Sequence, residues 1–185
     1  MQRTVIIFRH AKSDWDSEYS HDRERPLARR GSEAARAMGR LLSAAGLVPD
    51  MVISSPAVRA AATVDLAIIA GDWPCTRETN ESLYQCGASE MLHALRGLPN
   101  SVERVLLAGH ETSCSETVSR LIGGGDIRIP TGSMACISLE LKNWKDCAWG
   151  DGELSWLVPP RMLTEGPRPL FRDPRVQDDS PRRSK

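Results

Sequence analysis

The stretch TVIIFRH, residues 4–10, is a short β-branched apolar run that ends abruptly in Arg9 and His10. An apolar run of this length, bounded by polar residues, predicts a buried β-strand. Two more strands of the same character are predicted at 51–55 and 102–109, and a helical pattern follows each of them. Strands that alternate with helices favour an α/β layered fold with a largely parallel sheet.

The helices and the later strands are predicted from apolar spacing and from Ser, Pro and Gly residues at the helix ends. Ser32 is predicted to be the N-cap of the first helix, and Ser55-Pro56 to begin the second. Residues 72–88 lack a steady period and are predicted to be irregular. The other predictions are helix ends at Gly46 and Gly71, helices at 89–98 and 113–122, and a hairpin of strands at 133–141 and 153–160.

The character of the chain changes at residue 165. Residues 165–185 contain four Pro and many charged side chains, with almost no apolar ones. Such a segment cannot bury enough apolar surface to fold by itself. We therefore predict a single domain at 1–164, followed by a flexible tail rich in Pro and Arg at 165–185.

Charge and hydropathy exclude several classes of protein. In this chain of 185 residues, 24 Lys and Arg balance 24 Asp and Glu, so the formal net charge is zero. That balance argues against a nucleic-acid binder or a protein that coats an anionic membrane. No stretch approaches the roughly 18 apolar residues of a membrane-spanning helix, and the first apolar run is too short for a signal peptide. We expect a cytoplasmic protein that binds neither nucleic acid nor a membrane.

Three predicted strand ends carry side chains that could do chemistry. Arg9 and His10 follow the first strand, Arg59 lies one turn into the helix after the second, and His110 follows the third. In α/β folds, ligands bind beyond the carboxyl ends of the strands, where these residues would meet. Two imidazoles and two guanidinium groups form a cationic pocket suited to a tetrahedral dianion, and a histidine there can act as a nucleophile. A metal is a poorer fit, because arginines repel a divalent cation and no HExxH pattern is present.

The ordered set of motifs resembles the histidine phosphatase (phosphoglycerate-mutase-like) superfamily and, more narrowly, the SixA-type phosphohistidine phosphatases. The resemblance covers about residues 3–163 and implies a three-layer α/β/α fold with a mostly parallel central sheet. The matching segments are Arg9 to Ser13, Arg25-Pro26-Leu27 with Arg30-Gly31, Ser54 to Ala60 with Thr63, Gly109-His110, and Pro130 to Ser133.

The resemblance also implies residue roles. His10 would be the nucleophile that becomes phosphorylated, and water would then hydrolyse the phosphohistidine without a metal or an organic cofactor. Glu81 is the nearest candidate for an acid that protonates the leaving group. The phosphoryl group would be bound by Arg9, Arg25, Arg59 and His110.

Two positions leave alternatives open. Arg25 lies in a charged loop and could instead form a salt bridge with Asp22 or Glu24. Glu111 departs from the family pattern after the second histidine, and its carboxylate could either repel the dianion or pair with an arginine.

The sequence therefore predicts a cofactor-independent phosphatase that removes phosphate from phosphohistidine on a signalling protein, such as a phosphotransfer domain. A phosphatase that acts on small phosphomonoesters is an alternative, and a non-catalytic phosphate-binding module is another. A carboxylic acid within hydrogen-bond reach of the phosphate site would favour the phosphomonoesterase.

Overall fold

The computed structural model describes residues 1–165, in which a six-stranded sheet is combined with five helices. The strands are β1 (Gln2–Arg9), β2 (Met51–Ser54), β3 (Thr76–Thr79), β4 (Arg104–Gly109), β5 (Met134–Glu140) and β6 (Gly152–Val158). The helices are α1 (Arg29–Ala44), α2 (Val58–Gly71), α3 (Ala88–Arg96), α4 (Ser113–Leu121) and α5 (Arg161–Thr164). Short 3₁₀ turns occupy Asp22–Glu24, Glu81–Leu83 and Trp144–Asp146.

The sheet has the strand order β3-β2-β4-β1-β5-β6, with β1 and β4 at its centre. The pairs β3–β2, β2–β4 and β4–β1 are parallel, whereas β1–β5 and β5–β6 are antiparallel. The α/β fold with a mostly parallel sheet is therefore confirmed, and so is the final hairpin. The prediction that 72–88 is irregular was wrong at β3, a polar and largely exposed edge strand that pairs with β2.

The strand β1 separates two hydrophobic cores. Val5 and Ile7 pack on one face with residues of α3 and α4, while Ile6 and Phe8 pack on the other face with residues of α1 and α2. All four side chains are fully buried. A strand covered on both faces reads as a continuous apolar run, which explains the pattern at 4–8. The helices thus form the outer layers of the predicted three-layer arrangement.

Two helices begin at other residues than the sequence predicts. α1 begins at Arg29 rather than at Ser32, because the preceding Ala28 is held by a hydrogen bond from its N–H to the Lys12 carbonyl (2.9 Å). α2 begins at Val58, because Ser55 still continues the sheet. The Ser55 N–H donates to the Ala108 carbonyl at 2.9 Å. In both places a contact distant in sequence outweighs the local capping preference.

Gly31 allows α1 to pack directly against the segment that follows His10. A Cβ atom at this position would overlap the carbonyl group of Lys12. A glycine is needed here because two backbones approach too closely for any side chain. The first turn of α1 thereby supports the loop that carries the candidate nucleophile.

The boundary between the domain and the tail remains a prediction. Residues 166–185, which make up almost all of the predicted tail, lie outside the described residues. Within residues 1–165, no helix has the length and apolar character needed to cross a bilayer.

Candidate active site

The carboxyl ends of β1, β2 and β4 meet at one edge of the sheet, as the sequence predicts. The His10 N–H donates to the Gly109 carbonyl at 3.0 Å, which fixes the end of β1 beside the end of β4. The rings of His10 and His110 lie 5.1 Å apart between centroids. A cavity of about 430 Å³ opens at this edge. It is lined by all five predicted catalytic and phosphate-binding residues: Arg9, His10, Arg25, Arg59 and His110.

His10 is held as a neutral ring with a defined tautomer. Its Nδ1 lies 2.8 Å from the carbonyl oxygen of Ala11. A carbonyl can only accept, so Nδ1 carries the proton and Nε2 keeps a lone pair. Burial lowers the pKa of His10 from 6.5 to about 3, and the positive charges of Arg59 and Arg9 act in the same direction. At neutral pH the ring is therefore uncharged, as the predicted role of a nucleophile requires.

His110 is buried and bonded through both ring nitrogens. Its Nε2 lies 2.8 Å from the hydroxyl of Ser55, and its Nδ1 lies 3.4 Å from Nη2 of Arg59. Because a guanidinium only donates, Nδ1 is the acceptor, and Nε2–H donates to Ser55. Burial, and after it the positive charge of Arg59, lowers the pKa of His110 to about 4. Nδ1 can donate to a phosphoryl oxygen only after the ring takes up a proton, which a bound dianion favours.

One carboxylate, that of Asp22, positions two of the arginines. Oδ2 of Asp22 accepts from Arg59 at 2.8 Å, and Oδ1 accepts from Nη2 of Arg25 at 2.8 Å. The backbone carbonyl of Asp22 accepts from Arg59 at 2.6 Å. The hydrogen bond from Arg25 is the largest cause that lowers the pKa of Asp22. Both guanidinium groups are 5% exposed, so Asp22 holds them in fixed positions at the cavity.

Arg25 forms the salt bridge with Asp22 that the sequence left open, and it also lines the cavity. Its Nη1 additionally donates to the hydroxyl of Ser13. The indole of Trp15 covers the guanidinium, with Cζ of Arg25 3.6 Å from the ring centroid. The salt bridge and the predicted phosphate-binding role are therefore compatible.

Glu111 pairs with an arginine, which is one of its two predicted alternatives. Its Oε2 lies 3.7 Å from Nη1 of Arg9, and its Oε1 accepts from the hydroxyl of Ser115 at 2.5 Å. The same Nη1 of Arg9 donates to the Ile129 carbonyl at 2.8 Å. Glu111 is also the one carboxylate among the residues that line the cavity in the described part of the chain.

Two guanidinium N–H donors at the site have no acceptor among residues 1–165. They are Nε of Arg9 and Nε of Arg59, and both are buried.

The structure leaves Glu81 outside this assembly. Its side chain is 69% exposed and forms a salt bridge with Arg23, with Oε1 2.7 Å from Nη2. Glu81 is not among the residues that line the cavity.

Sequence reasoning missed two residues that organise the site. Asp22 was considered only as a partner of Arg25, although it also anchors Arg59. Ser55 was interpreted as a helix cap, yet its hydroxyl accepts from His110. Nothing in the local sequence distinguishes these two residues from other loop carboxylates and strand-end serines.

The lowered pKa of both histidines predicts an acid-sensitive fold. Between about pH 6.5 and pH 4, His10 and His110 become protonated in the unfolded chain but stay neutral in the folded protein. The free energy of unfolding therefore falls as the pH falls. Each ring contributes a slope of up to about 1.4 kcal/mol per pH unit. In His10→Gln, we expect the free energy of unfolding to change less steeply with pH than in the wild type, by up to that amount. The measurement is urea unfolding of both proteins at several pH values in this range. Equal slopes in the variant and the wild type would contradict the lowered pKa of His10.

Comparison with known proteins shows which family and which solved structures the chain resembles. The sequence model of the histidine phosphatase superfamily (branch 1) matches residues 5–92. The solved structure of the protein histidine phosphatase SixA complexed with tungstate is 25% identical, with a TM-score of 0.75 over 87% of this chain and 99% of that one. A structure provisionally assigned as a SixA phosphohistidine phosphatase from Nakamurella multipartitia is 24% identical, with a TM-score of 0.73 over 86% and 97% of the two chains.

A curated sequence is also similar over most of its length. It is an uncharacterized chloroplastic protein of Arabidopsis thaliana, 25% identical over 166 residues, which cover 84% of this chain and 75% of the relative. The predicted resemblance to the histidine phosphatase superfamily, and the phosphoglycerate-mutase-like fold that it implies, are confirmed by the family match and the shared fold.

Proposed function

The chain has the fold and the family signature of the histidine phosphatases, which supports phosphatase activity, and from this premise we propose that it hydrolyses phosphohistidine on a protein through a phospho-His10 intermediate. The observation that carries the proposal is the neutral His10 ring, with its Nε2 lone pair free, in a cavity lined by three arginines. The tungstate bound to the similar SixA structure is a tetrahedral oxyanion, as the phosphoryl group is.

In the first step, Nε2 of His10 attacks phosphorus while the bond to the leaving group breaks. The ring becomes a phosphoimidazolium, and its Nδ1–H continues to donate to the Ala11 carbonyl. Charge on the transferring oxygens is stabilised by guanidinium groups that are already in position and need no reorganisation. Arg59 and Arg25 meet this requirement because Asp22 fixes them both.

In the second step, water attacks the phosphorus atom, the P–Nε2 bond breaks, and its electron pair returns to Nε2. His10 thus leaves as the neutral imidazole, and the proton of the attacking water passes to the phosphate or to solvent. A weakly basic nitrogen leaves readily, and burial lowers the pKa of His10 to about 3. The same property therefore serves both steps, since the ring is uncharged before the attack and after its release.

The absence of a suitable acid in the described cavity supports a P–N substrate. Asp22 is ionised because Arg25 and Arg59 donate to it, and the Glu111 carboxylate is bonded to Ser115 and paired with Arg9. Both carboxylates are thus occupied by arginine or hydroxyl partners in this structure, which disfavours either of them as the proton donor to an alkoxide leaving group. An imidazole leaving nitrogen accepts a proton readily from solvent, so phosphohistidine needs less assistance than a phosphomonoester.

The arrangement around the cavity supports a substrate carried on a protein. Between β2 and β4, the structure contains only α2, β3, a 3₁₀ turn and α3, with no inserted cap. The Asp22 and Trp15 side chains at the site are largely exposed. A histidine on the surface of a phosphotransfer domain can reach such a site.

The test compares phosphate release from a phosphohistidine-bearing phosphotransfer domain with release from p-nitrophenyl phosphate, in EDTA. We expect turnover of phosphohistidine to be at least about tenfold faster in kcat/KM and unaffected by EDTA. Faster turnover of p-nitrophenyl phosphate would favour a small-molecule phosphatase with Glu111 as the acid. Binding of tungstate without turnover of either substrate would favour a non-catalytic phosphate-binding module.

A further inference from the structure

Trp15 is the exposed aromatic side chain at the rim of the cavity. It lines the cavity together with His10 and Arg25, and it is 61% exposed. One side of the indole is covered by the Arg25 guanidinium at 3.6 Å from the ring centroid. With that side covered and most of the residue still accessible, the remaining ring surface faces solvent at the mouth of the cavity.

The backbone on either side of Trp15 is fixed. Ser13 forms a β-bridge with Leu27, and the Asp14 N–H donates to the Pro26 carbonyl at 2.9 Å. The Asp16 N–H donates to Oδ1 of Asp14 at 3.0 Å. These contacts order the loop, and the stacking on Arg25 orders the indole, so less conformational entropy is lost when a ligand stacks on it.

Arg25 links the indole to the phosphoryl group. A guanidinium donates hydrogen bonds in its own plane and stacks through its faces. Arg25 and Trp15 both line the cavity, so the leaving group of a phosphoryl compound bound there can contact the indole.

The second aromatic ring at the cavity, that of Tyr84, is already engaged. Its hydroxyl donates to Oδ2 of Asp22 at 3.4 Å, and its ring makes an edge contact with His110. The guanidinium of Arg23 lies over the ring, 5.8 Å from its centroid. Trp15 is thus the ring that remains available to a ligand.

From this geometry we infer that Trp15 determines specificity by stacking on a planar leaving group, which in the proposed function is the imidazole of phosphohistidine. The inference rests on the proposed function and names the part of the site that recognises the substrate beyond its phosphoryl group. Trp15 acts on binding and orientation of the leaving group, and the reacting atoms are those of His10 and the phosphoryl group.

The test uses two substrates with the same P–N bond. Phosphohistidine has a ring on its leaving nitrogen, whereas phosphoramidate has none. The measured quantity is the ratio of kcat/KM for phosphohistidine to that for phosphoramidate, in which any general effect on Arg25 cancels. We expect Trp15→Ala to lower this ratio about tenfold and Trp15→Phe to restore most of it, because a phenyl ring also stacks.

Trp149 offers a matched control. It forms a second Trp–Arg stack, with Cζ of Arg120 4.2 Å from its ring, and it is not among the residues that line the cavity. Trp149→Ala should leave the ratio at its wild-type value. An unchanged ratio in Trp15→Ala would overturn the inference and reduce Trp15 to a support for Arg25.

Binding of phosphonates separates this inference from the proposed function. Phenylphosphonate and methylphosphonate cannot be hydrolysed, so their dissociation constants are measurable by calorimetry even if neither P–N substrate is turned over. We expect the wild type to bind phenylphosphonate more tightly than methylphosphonate. In Trp15→Ala, the ratio of the two dissociation constants should shift about tenfold toward methylphosphonate. Equal preference in both proteins would overturn the inference, whereas loss of preference without turnover would leave it standing and contradict the proposed function alone.

Discussion

The variant His10→Ala loses phosphohistidine turnover by a factor of at least about 10⁴, because removal of a nucleophile removes the covalent route itself. The Nε2 lone pair, oriented by the bond from Nδ1 to the Ala11 carbonyl, has no substitute in the described cavity. His110 cannot replace it, since its Nδ1 accepts from Arg59 and its Nε2–H donates to Ser55. The measurement is single-turnover phosphate release from a phosphorylated phosphotransfer domain.

Trapping of the phosphorylated enzyme tests directly whether His10 carries the phosphoryl group during turnover. Wild-type protein quenched during turnover should carry a phosphoryl group that is labile to acid and stable to base, and His10→Ala should carry none. The matched control is His93→Ala, since His93 is an exposed histidine on α3 that does not line the cavity. It should be labelled like the wild type. Retention of more than about 1% of turnover in His10→Ala would contradict the covalent mechanism.

The position of the site could be predicted from the sequence because of the way the sheet is built. β1 and β4 are covered on both faces, so their residues are continuously apolar, and the first polar residues after them mark the carboxyl ends. Arg9, His10 and His110 were located by this argument alone. Parallel neighbours necessarily bring such ends to one edge, which is why residues about 100 positions apart in sequence are adjacent in the structure.

Features that arise from tertiary contacts could not be predicted in this way. The strand β3 consists of polar and mostly exposed residues, and its extended conformation follows from pairing with β2. The loop at 11–28 contains several carboxylates, and the sequence does not indicate which of them reaches Arg59, 37 positions beyond Asp22. Asp22 is selected only because the 3₁₀ turn at 22–24 lies against α2 in the folded chain.

The position of Trp15 illustrates the same limit in another form. The sequence shows an aromatic residue five positions after the candidate nucleophile, and packing is the commonest use of such a side chain. Only the pairing of Ser13 with Leu27 turns the loop so that the indole covers Arg25 instead of entering a core. The predicted phosphate-binding residues are thus marked by local motifs, whereas the position of Trp15 depends on the pairing of residues that are distant in sequence.

The second large effect is expected at Arg59, which contacts both Asp22 and the second histidine of the site. It donates to the carboxylate and the backbone carbonyl of Asp22 and to Nδ1 of His110. Its buried Nε has no acceptor among residues 1–165. Loss of one preorganised donor for transition-state charge costs about 10²–10³ in rate, so Arg59→Ala should lower kcat by about that factor.

Two further variants show whether this loss reflects phosphoryl stabilisation. Arg59→Lys keeps the positive charge but lacks the planar guanidinium that matches both Asp22 and an oxyanion. Its kcat should therefore exceed that of Arg59→Ala by less than about tenfold. Arg77→Ala is the matched control on the same side of the sheet, because Arg77 forms its salt bridge with Asp65 and does not line the cavity. It should retain the wild-type rate.

Arg59→Ala also has a consequence that a purely structural role would not produce. The positive charge of Arg59 is, after burial, the main cause that lowers the pKa of His110, so its removal should raise that pKa above about 4. The ring would then take up a proton at a higher pH than in the wild type, which nitrogen-15 NMR of the imidazole detects directly. A rate within tenfold of the wild type, together with an unshifted His110 titration, would show that Arg59 stabilises the loop at Asp22 and contributes nothing to the phosphoryl site. A slow variant with a raised His110 pKa would instead place Arg59 against both the transferring oxygens and the second histidine, as the contacts around Asp22 require.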